Sequence, residues 1–276
     1  MVHTNTLFGA VLVGLTAHGV TAADCTRDIL STAAQAYLAG AAAGKAPANL
    51  ATTNFTYIEN DVALDISKGI LSAPISIDLN RTFLDTEECG AFMEINAASN
   101  KKPYVLLVRV FVDAASSQIT DIESVVTKDG DWAFNAAGHL AADKQEKWDA
   151  IPEAKQDTRA VLKAAADAYL DSWGDGTVNP PFGNPCSRIE GGSSTARGAA
   201  SGNTCKMPQF PQPFKVTNRR YIMDPTFGAI DIFNNFPFID KAKPNGTPST
   251  NLYRVEGGKI RYIHELTVCT NKNCGR

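Results

Sequence analysis

Thr26-Arg27-Asp28-Ile29-Leu30-Ser31-Thr32-Ala33-Ala34-Gln35-Ala36-Tyr37-Leu38 returns 132 residues later as Thr158-Arg159-Ala160-Val161-Leu162-Lys163-Ala164-Ala165-Ala166-Asp167-Ala168-Tyr169-Leu170, with eight of thirteen positions identical. Alanine-rich helices resemble one another by composition alone, so the order of the later matches decides the reading. Asn80-Arg81, Phe83-Leu84 and Gly90-Ala91-Phe92 are answered by Asn218-Arg219, Tyr221-Ile222 and Gly228-Ala229-Ile230 at a spacing of 138. Arg109-Val110 is then matched to Arg254-Val255, and Ile119 with Ile122 to Ile260 with Ile263. The chain holds two copies of one unit of about 120 residues.

Each copy opens on a helix. Ile29, Ala33, Tyr37 and Leu30, Ala34, Leu38 follow the i, i+4, i+8 spacing of one buried stripe, repeated in the second copy. Alternating segments follow near 80–84, 89–96, 104–112 and 118–127, and again near 218–223, 227–234, 252–256 and 259–269. Gly257-Gly258 marks a hairpin turn. A helix followed by an antiparallel meander curling over it is an α+β unit, so the expected fold is an internal duplication of two helix-plus-curved-sheet, cone-like units. The expected boundaries are 1–22 for a signal peptide, 23–138 for the first copy, 139–152 for a linker and 153–276 for the second copy. An insertion rich in turn residues runs near 179–213 in that copy, read as a long irregular loop that serves as a lid or covers a sheet edge.

The 276 residues suffice for two cores. The net charge of −3, without a lysine or arginine cluster, argues against nucleic acid as a partner. Leu7 to Val20 is an apolar run of signal-peptide length, followed by Val20-Thr21-Ala22 as a small-residue cleavage pattern. No other stretch is long and apolar enough to span a bilayer, so the mature chain is expected to be secreted or lumenal, without a membrane span. Six cysteines outside that segment fit an oxidising compartment. Of the fifteen possible pairings, Cys25–Cys89, Cys186–Cys205 and Cys269–Cys274 are favoured because each stays within one copy. Sequons at Asn54, Asn80 and Asn245 are expected glycan acceptors.

Histidine count restricts the chemistry most. His3 and His18 leave with the signal, which leaves His139 and His264 and excludes a His-rich metal cage. The serine-hydrolase elbow, H-E-x-x-H, the P-loop and a G-x-G-x-x-G after a strand are all absent, so neither cofactor nor metal is expected. Alternation through Ile260, Tyr262, His264, Leu266 and Val268 puts His264 on a mainly apolar face, as a hydrogen-bond donor, acid or base in a concave sheet, or as a satisfied core histidine. His139 follows Ala136-Ala137-Gly138 and reads as a surface residue. Arg188 with Glu190, Arg220 with Asp224, and the run Tyr57 to Asp61 offer acid–base pairs that either orient a substrate oxygen or tie loops to a sheet.

Gly130-Asp131-Trp132, Cys186-Ser187-Arg188-Ile189-Glu190-Gly191-Gly192, Asn218-Arg219-Arg220-Tyr221 and Tyr253-Arg254-Val255-Glu256-Gly257-Gly258-Lys259-Ile260-Arg261-Tyr262-Ile263-His264 together resemble a family of fungal secreted proteins over almost the whole mature chain. Each half also resembles a nuclear-transport-factor-like (SnoaL-like) cone, whose late strands read G-x-I-x-x-I as here. The resemblance extends to hetero-Diels–Alderases of tropolone–sesquiterpenoid biosynthesis in fungal secondary metabolism. It implies a cofactor-independent cyclase or isomerase acting on a small apolar, oxygenated intermediate, the alternative being a non-catalytic secreted carrier or host-interaction protein. The expected donors are His264, Arg220 and Tyr262 as catalytic residues. Asp224, Glu190, Arg188 and Tyr221 are expected to bind substrate.

Overall fold

The computed structural model describes residues 24–195, 202–207, 210, 212–237 and 239–274. The expected signal segment and its cleavage site therefore lie outside the described residues. The first half comprises α1 (Arg27–Ala43), β1 (Thr56–Glu59), β2 (Val62–Ala63), β3 (Leu79–Asp85), β4 (Gly90–Ala97), β5 (Tyr104–Asp113) and β6 (Gln118–Thr127). A short helix, α2 (Ala136–Asp143), leads to the second half. That half comprises α3 (Arg159–Gly174), β7 (Phe182–Glu190), β8 (Ser193–Ser194), β9 (Thr217–Asp224), β10 (Ala229–Phe236), β11 (Thr247–Glu256) and β12 (Lys259–Thr267). The fold is mixed α+β in two similar halves.

Sequence identity at the helix starts becomes identical capping. The Thr26 hydroxyl accepts from the Ile29 amide and Thr158 from Val161, so each copy closes its first helical turn in the same way. The strand orders also correspond: β2-β1-β6-β5-β4-β3 and β8-β7-β12-β11-β10-β9. β3 to β6 and β9 to β12 are antiparallel meanders. β1 and β7, however, run parallel to β6 and β12, so both sheets are mixed. β7 lies within the segment read as an irregular loop. Asn179-Pro180-Pro181 hides it from a turn-residue reading, yet from Cys186 on it is largely buried and extends the sheet at its edge.

Three apolar clusters define the layering. One packs α1 with Leu30, Ala34 and Tyr37 on one face of the first sheet, and a second packs α3 with Leu162, Ala166 and Tyr169 on the second sheet. The third takes Phe83, Phe92 and Leu107 from the first sheet and Ile222, Phe233 and Leu266 from the second. The layers are helix, sheet, sheet, helix, with the two sheets face to face. Trp148 packs into the middle cluster, and the Ile151 amide donates to Thr226 O at 2.7 Å, so the connection between halves is docked along much of its length.

Reciprocal contacts relate the halves. Arg27 donates to both oxygens of Asp224 at 2.9 Å, and Arg159 donates to both oxygens of Asp85 at 2.6 and 3.0 Å. Asp224 also accepts from the Leu84 amide, and Asp85 from the Met223 amide. Asp85 thus corresponds to Asp224, and Leu84 to Met223, at a spacing of 139. Phe83 and Ile222 then share the middle core, which corrects the 138 spacing read from sequence. The strand registers of Arg109 opposite Phe92 and Leu252 opposite Asp231 likewise make Leu252, not Arg254, the counterpart of Arg109. Glu123 is the counterpart of His264, since they face Arg109 and Leu252, in keeping with the match of Ile122 to Ile263.

Cys25–Cys89, Cys186–Cys205 and Cys269–Cys274 are bonded, each within one half. Among the described residues no helix is long and apolar enough to cross a membrane. The disulfides are compatible with an extracellular or lumenal protein.

Candidate functional site

Alternation along β12 divides its buried residues between two environments. Ile263 joins the core beneath α3, Leu266 joins the core between the sheets, and Glu265 meets the helix. On the helix side the Tyr169 hydroxyl donates to Glu265 Oε1 at 2.7 Å, and Asn251 Nδ2 donates to the same oxygen at 3.3 Å. Arg188 from β7 lies 3.4 Å from Glu265 Oε2 and 3.5 Å from the Tyr169 hydroxyl. Burial raises the Glu265 carboxyl, Arg188 opposes that and Glu190 adds to it, leaving it at about 7. Burial and then Glu265 push the Tyr169 hydroxyl well above its ordinary value. The Tyr253 hydroxyl and Arg188 Nε, both buried here, have no hydrogen-bond partner among the described residues.

A ladder of rings leads outward from Tyr169. Trp173 is 5.6 Å away between centroids, Phe236 is 4.7 Å beyond it, and Phe214 is 5.8 Å from Phe236. There a pocket of about 1100 Å³ opens, with Val178, Phe210, Phe214 and Val216 in its wall and Asp171 and Arg219 among its polar lining. Its rim depends on Gly174. A β-carbon at that position would stand 1.9 Å from the Phe214 carbonyl oxygen, so any side chain would displace the segment that forms the wall.

A second polar cluster lies between the sheets. Glu94 Oε1, on β4, is 2.7 Å from His264 Nδ1 and 2.9 Å from His139 Nε2. His264 Nε2 meets Glu146 at 2.8 Å, and His139 Nδ1 meets the Gly191 carbonyl at 3.0 Å. Asp143 and Arg81 form an ion pair beside them, and Arg81 also donates to the Asp143 carbonyl at 2.7 Å. Burial disfavours charge on His264, but Glu146 and Glu94 outweigh it and hold the imidazole well above its ordinary pKa. Burial likewise opposes ionisation of Glu94, and His264 and His139 overcome it, holding the carboxyl well below its usual range. Burial and then Glu94 raise Asp143 to about 7.

The residues expected to form one site are thus distributed over several. His264 belongs to the cluster between the sheets, and its concave-face assignment is corrected by the opposing sheet that covers it. Tyr262 stacks near Trp148, with centroids 5.7 Å apart. Arg220 binds Glu123 at 2.5 Å and Asp61 at 3.0 Å from the other half, in a groove at the junction, and not the Asp224 of its own strand. Asp224 serves the Arg27 clasp. Tyr221 donates to Asp167 at 2.8 Å, on the α3 side of its sheet. Glu190 accepts from Trp132 Nε1 at 2.5 Å and lies 3.7 Å from Arg188. Only Arg188 and Glu190 stand at the helix-side cluster.

His139 is fully buried, which corrects its reading as a surface residue: α2 turns it inward between Glu94 and Gly191. Glu265, Tyr169, Glu94, Glu146 and the Arg109–Asp231 pair are absent from the sequence-based set. Tyr169 carried one signal, since Tyr37 and Tyr169 are the only tyrosines of the repeated helix. Glu265 carried another, as the neighbour of His264 on the opposite strand face.

Residues 155–267, from just before α3 to the end of β12, match the family model of a domain of unknown function (DUF8021). No curated protein and no solved structure matches the chain. The stretch similar to that family is the unit that holds the Tyr169–Glu265–Arg188 cluster.

Proposed function

We propose that the chain is a secreted, cofactor-independent enzyme of the cyclase or isomerase class, which takes a small apolar, oxygenated intermediate into the second-half pocket. The observation that carries this reading is the aromatic-walled pocket of about 1100 Å³ at the outer end of the ring ladder from Tyr169. An aromatic wall bordered by Asp171, Asp175, Lys215 and Arg219 suits an apolar ligand that carries oxygens at one end. Rate would come mainly from holding the reacting atoms together, with Lys215 and Arg219 of the pocket lining as the cationic groups facing negative charge that develops on a carbonyl oxygen. The roles expected of His264, Arg220 and Tyr262 pass to these pocket residues, because the former stand outside its lining. The resemblance to hetero-Diels–Alderases and to cone-shaped folds supports this class of reaction and the fungal setting. Exposed Asn54, Asn80 and Asn245 suit glycan acceptors on a secreted chain.

The test is mass spectrometry of products after incubation with tropolone–sesquiterpenoid intermediates. Acceleration over the spontaneous reaction, reduced about 10²-fold by Lys215→Met, an exposed residue of the pocket lining, with the melting temperature retained, is the expected result. Spontaneous rate and product ratio in the presence of protein would sink the enzyme reading. The carrier reading draws on the mutual pairing of Tyr169, Glu265 and Arg188, which leaves few donors unengaged. A small molecule retained in native mass spectrometry without turnover would select it.

A further inference from the structure

We infer that Glu94, His139 and His264 form a divalent transition-metal site that fastens the two halves together, with zinc the best-matched ion. The inference is independent of the pocket. All three side chains are fully buried, and their ligand atoms converge: one carboxylate oxygen faces both imidazole nitrogens, at 2.9 and 2.7 Å. Glu94 comes from β4 of the first half, His264 from β12 of the second and His139 from α2 between them.

The hydrogen bonds on the far side of each ring fix what faces inward. The Gly191 carbonyl only accepts, so His139 Nδ1 carries a hydrogen. The Glu146 carboxylate accepts from His264 Nε2 in the same way. With neutral rings, His139 Nε2 and His264 Nδ1 therefore present lone pairs to Glu94 Oε1, itself an acceptor. Three acceptors at hydrogen-bond distance repel unless positive charge sits between them. A histidine that gives its outer N–H to a carboxylate or a backbone carbonyl while its inner nitrogen faces a carboxylate is the outer-shell arrangement of metal-binding imidazoles.

Charge and unmet valence agree. Glu94 and Glu146 carry two negative charges beside the Asp143–Arg81 pair, so the cluster with neutral imidazoles holds one to two negative charges in excess, according to whether Asp143, at about 7, is protonated. One divalent cation balances it when Asp143 is ionised. Among the described residues, Glu94 Oε2 is buried with no hydrogen-bond partner and neither oxygen of Asp143 has a hydrogen-bond donor, although Arg81 is in ion-pair contact with one of them. Glu94 Oε2 makes its carboxylate available as a bidentate ligand. Two imidazoles with carboxylates select zinc and its first-row neighbours over calcium or magnesium. Zinc–ligand bonds of about 2.0–2.2 Å require the present contacts to open by roughly half an ångström. With every ligand buried, the ion would be structural.

The alternative occupant of the same gap is a pair of protons, one on each inner nitrogen, and metal analysis separates the two. The mature chain, produced without a histidine tag from a zinc-supplemented secretion host, is to be assayed for bound metal by mass spectrometry. Stoichiometric zinc in the wild type, lost in Glu94→Gln, is the expected result. Glu146→Gln removes only an outer partner and should weaken affinity about 10–100-fold while leaving the ligands in place. Should Glu94→Gln fail to fold, the wild type refolded with cobalt in place of zinc provides the independent readout, namely the visible bands of four-coordinate cobalt with nitrogen and oxygen ligands. Purified wild type without metal, showing neither cobalt bands nor a rise in melting temperature on adding zinc, would overturn the inference. Unchanged zinc in a folded Glu94→Gln would do the same.

Discussion

Arg109 is 1% exposed and has no route to water, so its guanidinium must be met entirely by protein. It donates to Asp231 through Nε at 3.1 Å and Nη2 at 2.9 Å, reaches the carbonyls of Arg220 and Asp231, and lies 3.8 Å from the centroid of Phe233. Burial disfavours charge on both partners, lowering the Arg109 pKa and raising that of Asp231, while each opposes the shift in the other. Arg109→Met would leave Asp231 buried beside only Thr250 as a side-chain donor, and should cost about 3–5 kcal/mol. Urea denaturation measures this, and a loss under 1 kcal/mol would refute the bridging role. His264→Ala removes the partner of two buried carboxylates and leaves a void. It should destabilise by a few kcal/mol, a fall that thermal melting resolves at once. An intact melt with lost turnover would instead restore His264 as a working donor. Sequence placed His264 on an apolar face correctly, but nothing local reveals its partners, since Glu94 is 170 residues away and on the other sheet. His139 was misread for the same reason: its linear neighbours are small and linker-like, and burial comes from a distant strand.

At the scale of elements, the repeated helix and the antiparallel meander were legible because both depend on local periodicity, and their bounds fall within a few residues of the expected ones. The exception is β11, which begins at Thr247, well before the expected 252. β1 and β7 were not legible as strands. Each pairs in parallel with a strand far along the chain, and Gly183 and Pro185 interrupt the pattern of β7. Cys186–Cys205 holds β7 to the segment that returns toward β9, so reduction should loosen this edge first. Loss of a native disulfide from a secreted domain costs about 2–5 kcal/mol, and full reduction should lower the melting temperature by many degrees. An unchanged melt after complete thiol labelling would show that the bridges are dispensable. The hairpin acids are a second element-level device. Asp85 accepts from Arg159, from the Met223 amide across the interface and from the amides of Glu87 and Glu88 in its own turn. Asp85→Ala should therefore cost about 2–3 kcal/mol, chiefly by orphaning the buried Met223 amide. A chemical-denaturation midpoint equal to wild type would count against that clasp.

For the molecule as a whole, the duplication was readable, but the joining of the halves was not. Two tandem copies suggest two bodies on a linker. The middle core of Phe83, Phe92, Ile222, Phe233 and Leu266, the Arg27–Asp224 and Arg159–Asp85 pairs, and the docked Trp148 instead make each half the cover of the other. This bears on the second half, the part similar to the unknown-function family. Expressed alone from residue 153, it would retain α3 and its own helix-side core but expose the apolar face of its sheet. Asp231 would lose Arg109, and His264 would lose Glu94 and Glu146. Contiguous apolar sheet faces of this kind associate in solution. Because the two halves already meet through reciprocal contacts, the isolated half has a ready geometry for pairing with a second copy of itself. Analytical ultracentrifugation should find it dimeric or aggregated, and adding the separately expressed first half should restore a one-to-one pair. A folded, monomeric second half with a melting temperature near that of the full chain would show that the inter-sheet core contributes little, and that the halves are independent bodies after all.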